Sequence, residues 1–155
     1  MTVRLTWDIT LNDAKERLAK LQTPLKALTR AIAGRLEVST HERFETETAP
    51  DGKAWKKSNK PGGKTLTVSG LLNQSISSAF DDKFAAVGTN LVYAGIHQRG
   101  GEIKPVNAKA LRFKVGGQWI CAKSVKIPAR PFLGISDDDI DSIQNIVKRY
   151  LNGEL

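Results

Sequence analysis

The chain has 155 residues, of which 24 are Lys or Arg and 16 are Asp or Glu, with a formal net charge of +8 and 40% apolar residues. This length supports one ordinary hydrophobic core, so we expect a single domain over residues 1–155. The composition excludes a wholly disordered chain, and no apolar run approaches the roughly 18 residues of a bilayer helix.

Residues 2–9 alternate polar and apolar side chains, which predicts a strand with one wet face rather than a secretory signal. The protein is therefore expected in a cytosol-like compartment. Apolar spacing then predicts a short helix that ends near Leu21. A longer helix is predicted from Thr23-Pro24, because Thr caps helices and Pro is tolerated at their first position. Its apolar stripe, which ends before Ala49-Pro50, consists of Leu25, Leu28, Ile32, Leu36 and Phe44.

Residues 50–67 contain two Pro, three Gly and five Lys, which predicts a flexible Lys-rich loop. The loop is the first part of a basic region, residues 50–135, which contains fourteen basic and four acidic side chains. Such charge favours contact with nucleic acid or an acidic protein surface, although a solvated loop is the alternative. The candidate phosphate contacts are Lys53, Lys56, Lys57, Lys60 and Lys64.

After the loop, Ser69 is predicted to cap a short helix that continues through Ile76. A strand over residues 84–88 and a helical turn over residues 93–98 are predicted next, before Gly100-Gly101 ends the turn.

Residues 111–122 form two strand-like runs joined by Gly116-Gly117, which predicts a hairpin with a two-residue turn. In this register Phe113 faces Ile120, and we expect their face to belong to the core. Trp119 lies on the opposite face. We expect another part of the fold to cover it, with exposure to a partner as the alternative.

The Pro residues at 128 and 131 predict a rigid extended connector over residues 127–132. Ser136 then caps a final helix whose three Asp residues and whose Lys148-Arg149 complement the helix dipole. Its apolar stripe, with Ile143 and Tyr150, is expected to pack on the sheet. The order of elements predicts an α+β fold with a long N-terminal helix and a C-terminal helix on a mainly antiparallel sheet.

No motif establishes catalysis, a metal or a cofactor. Gly62-Gly63-Lys64-Thr65 lacks the earlier Gly of a phosphate-binding loop, since residue 58 is Ser. Cys121 and His97 carry no local signature of a nucleophile and base, so a sheet cysteine and a surface histidine are the preferred interpretation. The positive end of the helix dipole explains the acidic run at residues 137–139, so this run does not indicate a bound cation. We therefore expect no enzyme, no cofactor and no membrane contact.

Six segments occur in an order that resembles a known family. They are Arg43-Phe44, Pro50-Asp51-Gly52 with Trp55, residues 66–76, Val87-Gly88-Thr89, residues 93–100 and residues 127–136. The chain resembles the phage virion morphogenesis family, the tail completion proteins of Mu-like and related contractile-tailed phages and prophages, from about residue 28 to its end. Tyr-Ala-x-x-His-Gln-x-Gly followed by Pro-Ala-Arg-Pro-Phe is the most specific part. Arg99 stands where relatives often carry an aromatic residue.

The resemblance implies a structural protein of the virion that is assembled in the bacterial host cytoplasm and completes the tail or joins it to the head, as a closed ring. It implies contacts with further copies and with tail tube, tail terminator or neck proteins. The positions expected at an interface or in a structural motif are Tyr93, His97, Arg99, Arg130, Pro131 and Phe132, to which the hairpin adds Trp119. Core packing of Tyr93 and Phe132 is the alternative.

Two further expectations accompany this interpretation. Arg130, between prolines, is expected to pair with a carboxylate of a neighbouring subunit. The other function that the residues favour is a nucleic-acid-binding module that uses the Lys-rich segment, and DNA passing through a ring would combine the two.

Overall fold

A computed structural model describes residues 24–58, 64–115 and 117–155. The strand predicted at residues 2–9, the helix after it and Lys60 lie outside these residues. The helices are α1 (Leu25–Thr46), α2 (Leu71–Gln74), α3 (Ala94–Arg99) and α4 (Asp137–Leu151). The strands are β1 (Ile76–Phe80), β2 (Ala85–Thr89), β3 (Gly101–Ile103), β4 (Leu111–Val115), β5 (Gln118–Ala122) and β6 (Val125–Ile127). The predicted α+β class is confirmed.

The long helix α1 begins directly after Pro24, as predicted, and ends at Thr46, earlier than Ala49-Pro50. It stops there because Glu47 adopts the left-handed conformation, with φ of 56°, while its N–H donates to the carbonyl of Arg43. The buried face of α1 is partly polar. It contains Ala33, Leu36, Ser39, Thr40, Arg43 and Phe44.

The described strands form three separate two-stranded antiparallel ladders rather than one sheet, in the pairs β1–β2, β3–β6 and β4–β5. The β1–β2 ladder packs against α1. The prediction that Ile76 continues a helix was wrong, because Ile76 starts β1. The Ser75 hydroxyl donates to the carbonyl of Leu72 at 2.7 Å and lies 2.6 Å from the Thr89 hydroxyl, which ends the helical turn and starts the ladder.

The final helix starts where it was predicted. Ser136 caps it, and Asp139 completes a capping box with the Ser136 backbone. The expected packing of α4 on the sheet was wrong, since α4 packs mainly on α1. A physical reason is the ion pair between the buried carboxylate of Asp139 and the guanidinium of Arg43 on α1.

The core lies between α1, the loop after it and the connector before α4. Phe44 is its centre, with ring centroids 5.5 Å from Trp55 at an interplanar angle of 80° and 5.4 Å from Phe132. Edge-on and tilted contacts of this kind are favourable because aromatic rings carry opposite charge at face and edge. The buried cluster consists of Phe44, Trp55, Leu72, Ile76, Ala94 and Phe132.

The hairpin β4–β5 has the predicted register, with Phe113 opposite Ile120. The expectations about its burial were wrong. Ile120 is exposed on the face predicted to be core, and Trp119 is 58% exposed on the other. The reason is that neither strand packs substantially on another element of the described chain. The hairpin is therefore an arm with two accessible faces.

Candidate assembly surface

The connector before α4 is held on one side by the end of α3. The backbone N–H of Arg130 donates to the carbonyl of His97 at 2.7 Å. The Gln98 side chain accepts hydrogen bonds from the N–H groups of Phe132 and Leu133, both at 3.0 Å, and donates to the carbonyl of Leu133 at 2.7 Å. Sequence reasoning missed Gln98 as a site residue, although it lies between His97 and Arg99 in the motif. The position of Gln98 in the motif does not show which backbone groups its side chain will bind.

The opposite side of the connector is held by α1 and the loop. The indole N–H of Trp55 donates to the carbonyl of Pro131 at 2.8 Å. One guanidinium nitrogen of Arg43 donates to the carbonyls of Phe132 and Gly134, at 3.2 and 3.1 Å. Buried backbone groups of an irregular segment need such partners, since no ladder satisfies them. The motif residues Pro131 and Phe132 thus have structural contacts, and Phe132 is fully buried.

Arg130 is directed into its own chain. It is only 9% exposed, and its Nε donates to the carbonyl of Lys56 at 2.7 Å, with a longer contact from Nη2 to the carbonyl of Lys57. Burial lowers the pKa of Arg130, and the charge of Glu47 opposes this shift. The guanidinium therefore fixes the basic loop to the connector instead of extending toward a neighbour's carboxylate.

The other motif residues lie nearer the surface. Tyr93 is exposed and meets the ring of His97 edge-on, with centroids 6.1 Å apart. His97 is half-buried, and burial, followed by the charge of Arg130, lowers its pKa. In the described part of the chain its Nδ1 has no hydrogen-bond partner. Arg99 is exposed.

The Lys-rich loop offers less free positive charge than its composition suggests. Lys53 pairs with Asp51 at 2.7 Å, and Lys64 pairs with Glu45 of α1. Lys56 and Lys57 are exposed, with their carbonyls occupied by Arg130. Two of the predicted phosphate contacts therefore have carboxylate partners.

Unpaired positive charge is found on the β4–β5 arm instead. The guanidinium carbon of Arg112 lies 4.5 Å from the centre of the Trp119 ring, and the Lys114 ammonium lies 5.1 Å from it. Both cations are attracted to the face of the indole. Residues 104–126 contain six basic side chains and no acidic one, and of these Lys104 pairs with Glu102 at 3.1 Å. The arm thus carries aromatic and cationic groups on one face and aliphatic groups on the opposite face.

Among residues 24–58, 64–115 and 117–155, no group of three or more His, Cys, Asp or Glu side chains is placed to hold a metal ion. Cys121 is exposed on β5. The described helices include none that is both long and apolar enough to cross a membrane. The candidate functional features of the described residues are the hydrogen-bonded connector before α4 and the accessible β4–β5 arm.

Comparison with known proteins decides the family. A model of the phage virion morphogenesis family matches residues 8–152. The chain belongs to the phage virion morphogenesis family. It is 36% identical over 140 residues to a protein of Haemophilus influenzae named Mu-like prophage FluMu G protein 2, covering 90% of this chain and 88% of that protein. It is 25% identical to the putative capsid assembly protein G of Escherichia phage Mu, covering 84% of this chain and 81% of that protein.

A second Haemophilus influenzae relative, Mu-like prophage FluMu G protein 1, is 28% identical over 81% of this chain and 78% of its own length. No solved structure matches the chain. This virion morphogenesis protein therefore has a structural role in phage assembly, and its family implies that it is associated with the virion.

Proposed function

We propose that this protein completes the phage tail or joins it to the head, and that it does so as a ring-forming oligomer. It assembles in the bacterial host cytoplasm, and its partners are further copies of itself and tail tube, tail terminator or neck proteins. The observation that carries the proposal is a family match from residue 8 to residue 152 on a chain with an accessible arm at β4–β5. We propose the tail, rather than the capsid named for the phage Mu relative, because residues 93–100 and 127–136 resemble the motifs of tail completion proteins.

Surface chemistry supports an assembly role. Large apolar side chains on the arm are exposed, including Val115, Trp119 and Ile120. Val115 and Ile120 are on one face and Trp119 is beside Arg112 on the other, and protein interfaces are enriched in aromatic residues and Arg. Because most oligomers are symmetric, a repeated contact between unlike surfaces closes into a ring when its rotation permits.

Gene inactivation in a phage that encodes this protein tests the role. We expect cells to accumulate DNA-filled heads and separate tails, seen by electron microscopy, and plasmid expression of the protein to restore joined particles. Loss of heads themselves would overturn the tail assignment in favour of capsid assembly. Normal infectious particles would overturn both.

DNA binding is a second candidate function, favoured by the six basic and no acidic residues of segment 104–126. It predicts saturable binding of duplex DNA at low salt that weakens steeply as salt rises. Fluorescence anisotropy measures this. Substitution of both Arg112 and Lys114 by Glu should abolish the rise in anisotropy on DNA binding. Lys53→Glu should change this rise little, because Lys53 is already paired with Asp51.

A further inference from the structure

The molecule has a second surface that is complementary to the arm. A groove of about 720 Å³ lies between the second half of α1, the turn over residues 48–52 and the start of α4. We propose that the β4–β5 arm of one copy docks into this acidic groove of the next copy. The inference rests on the proposed ring, and it names the two surfaces that form the repeated contact.

The groove is lined by Arg35 and Arg43, which pair with Glu42 and Asp139, and by an exposed rim in which carboxylates are in excess. Its carboxylates are those of Glu42, Asp51, Asp137 and Asp138. Glu42 and Asp51 have cationic neighbours, Arg35 at 3.5 Å and Lys53 at 2.7 Å. In the described chain no cation lies within ion-pair distance of Asp137 or Asp138. Two carboxylates at the start of α4 are therefore available to cations of another molecule.

The arm carries the opposite charge and lacks acidic partners of its own. Within the described residues, Arg112 and Lys114 contact the Trp119 ring but form no ion pair. A like-charged arm repels another arm, which disfavours a symmetric arm-to-arm dimer. Cations on the arm and carboxylates on the groove attract each other between two copies of one chain.

Apolar groups match as well. Ala49, Pro50 and Ile135 line the groove beside its carboxylates. The arm presents the exposed indole of Trp119 on the same face as Arg112 and Lys114. An apolar centre with a charged rim is the usual composition of a protein interface. We favour a second copy over nucleic acid because it pairs the cations of the arm with the carboxylates of Asp137 and Asp138, which nucleic acid would leave unpaired.

The contact joins unlike surfaces, because no residue of the arm lines the groove. Each copy thus offers one arm and one groove, and a third copy adds to a pair in the same way. Such a head-to-tail contact generates a ring or a filament rather than an isolated dimer. Cross-linked trimers and larger species distinguish a head-to-tail contact from a two-fold contact, which joins only two copies.

Cys121, exposed on the cationic face of β5, makes a cross-linking test direct. The variant Thr46→Cys carries one thiol on the arm and one in the groove, and it keeps both Asp137 and Asp138. With a short bismaleimide we expect a ladder of dimers, trimers and larger species in denaturing gels. The matched controls are the unchanged chain and Cys121→Ser/Thr46→Cys, each with one thiol and at most a dimer. Asp82→Cys, on the exposed turn between β1 and β2, places the second thiol elsewhere and should give no ladder.

Charge reversal gives an independent readout by light scattering. Arg112→Glu/Lys114→Glu and Asp137→Lys/Asp138→Lys should each lower the oligomer mass, and combining all four substitutions should restore it. Circular dichroism confirms that each variant is folded. An unchanged oligomer mass in the reversals, with no ladder, overturns the arm-to-groove contact and leaves the ring intact. A monomer without a ladder overturns the contact and the ring together, while gene inactivation tests the tail role separately.

Discussion

The buried carboxylate of Asp139, in the first turn of α4, accepts a hydrogen bond from the guanidinium of Arg43 on α1. The same guanidinium donates to the carbonyls of Phe132 and Gly134 in the connector. One ion pair thus joins the two main helices and fixes the end of the connector before α4. It positions the wall that α1 and α4 contribute to the acidic groove.

Breaking this pair should destabilise the protein strongly. Asp139→Asn leaves the Arg43 charge buried without its counter-ion, for which we expect a loss of about 3–5 kcal/mol in the free energy of unfolding. Urea denaturation followed by circular dichroism measures it. The control is Asp138→Asn on the same turn, whose side chain is exposed and whose loss should stay at about 0.3–1 kcal/mol from the helix dipole. Equal effects of the two variants would contradict a structural role for the pair.

Stability should also depend on acid pH through Asp139. Burial alone raises the pKa of Asp139, but hydrogen bonds from Ser136 and Ser39 and the charge of Arg43 outweigh it and hold that pKa below the ordinary value of 3.8. A carboxyl with a lowered folded pKa contributes stability above its unfolded pKa and loses it as pH falls through the folded pKa.

We therefore expect the free energy of unfolding to fall as pH drops below about 4, the ordinary range of an Asp. Asp139→Asn should show a shallower fall over the same interval, because it has no carboxyl to protonate there. Urea titrations of both proteins at a series of pH values give the comparison. Parallel curves would mean that other carboxylates carry the acid sensitivity.

Gln98 should contribute far more to stability than its neighbour Arg99. Gln98→Ala removes three hydrogen bonds to the backbone of Phe132 and Leu133, and each part-buried group left unpaired costs about 1–3 kcal/mol. Arg99→Ala, at an exposed site, should change stability by less than about 0.5 kcal/mol. Chemical denaturation of both variants tests this. A small loss of stability in Gln98→Ala would show that water replaces the hydrogen bonds of the Gln98 side chain.

Gly100 should not tolerate a side chain. Its φ is +72°, and a Cβ there would lie 2.7 Å from the backbone nitrogen of Ala129 and 3.1 Å from the carbonyl of Ile127. Gly52, with φ of +77°, has nothing within 4 Å of a Cβ. Gly52→Ala therefore reports backbone strain alone, about 1–2 kcal/mol. Gly100→Ala should cost clearly more in urea denaturation, and equal losses would show that the connector moves aside.

Local chemistry explains which elements were predictable. The Gly116-Gly117 pair predicted the register of the β4–β5 hairpin correctly, and Ser136 followed by three Asp residues predicted the start of α4. Periodicity shows which side chains share a face but not whether anything covers that face. The burial of Ile120 was therefore predicted wrongly, and for Trp119 the structure shows the alternative of an exposed side chain. Ile76 continued the apolar spacing of a helix, while its actual partner, Thr89, is distant in sequence.

The candidate site was less predictable than the fold because its contacts are long-range. Asp139 was interpreted through the helix dipole, a local effect, whereas its main partner Arg43 lies 96 residues away. Arg130 was expected to pair with a carboxylate of a neighbouring subunit, because the flanking prolines hold it in place. The prolines do not specify the direction of its side chain. The carbonyls of Lys56 and Lys57 that bind it belong to a loop whose path no local pattern specifies.

Reconstitution in vitro tests the central claim most directly. DNA-filled heads and separate tails are prepared from cells that lack the protein, and the purified protein is added to the tails before the heads. We predict that infectious particles form, in numbers that rise with added protein, and that the Arg112→Glu/Lys114→Glu variant fails to produce them. Heads and tails that join equally well without the protein would contradict its role in tail completion and head–tail joining.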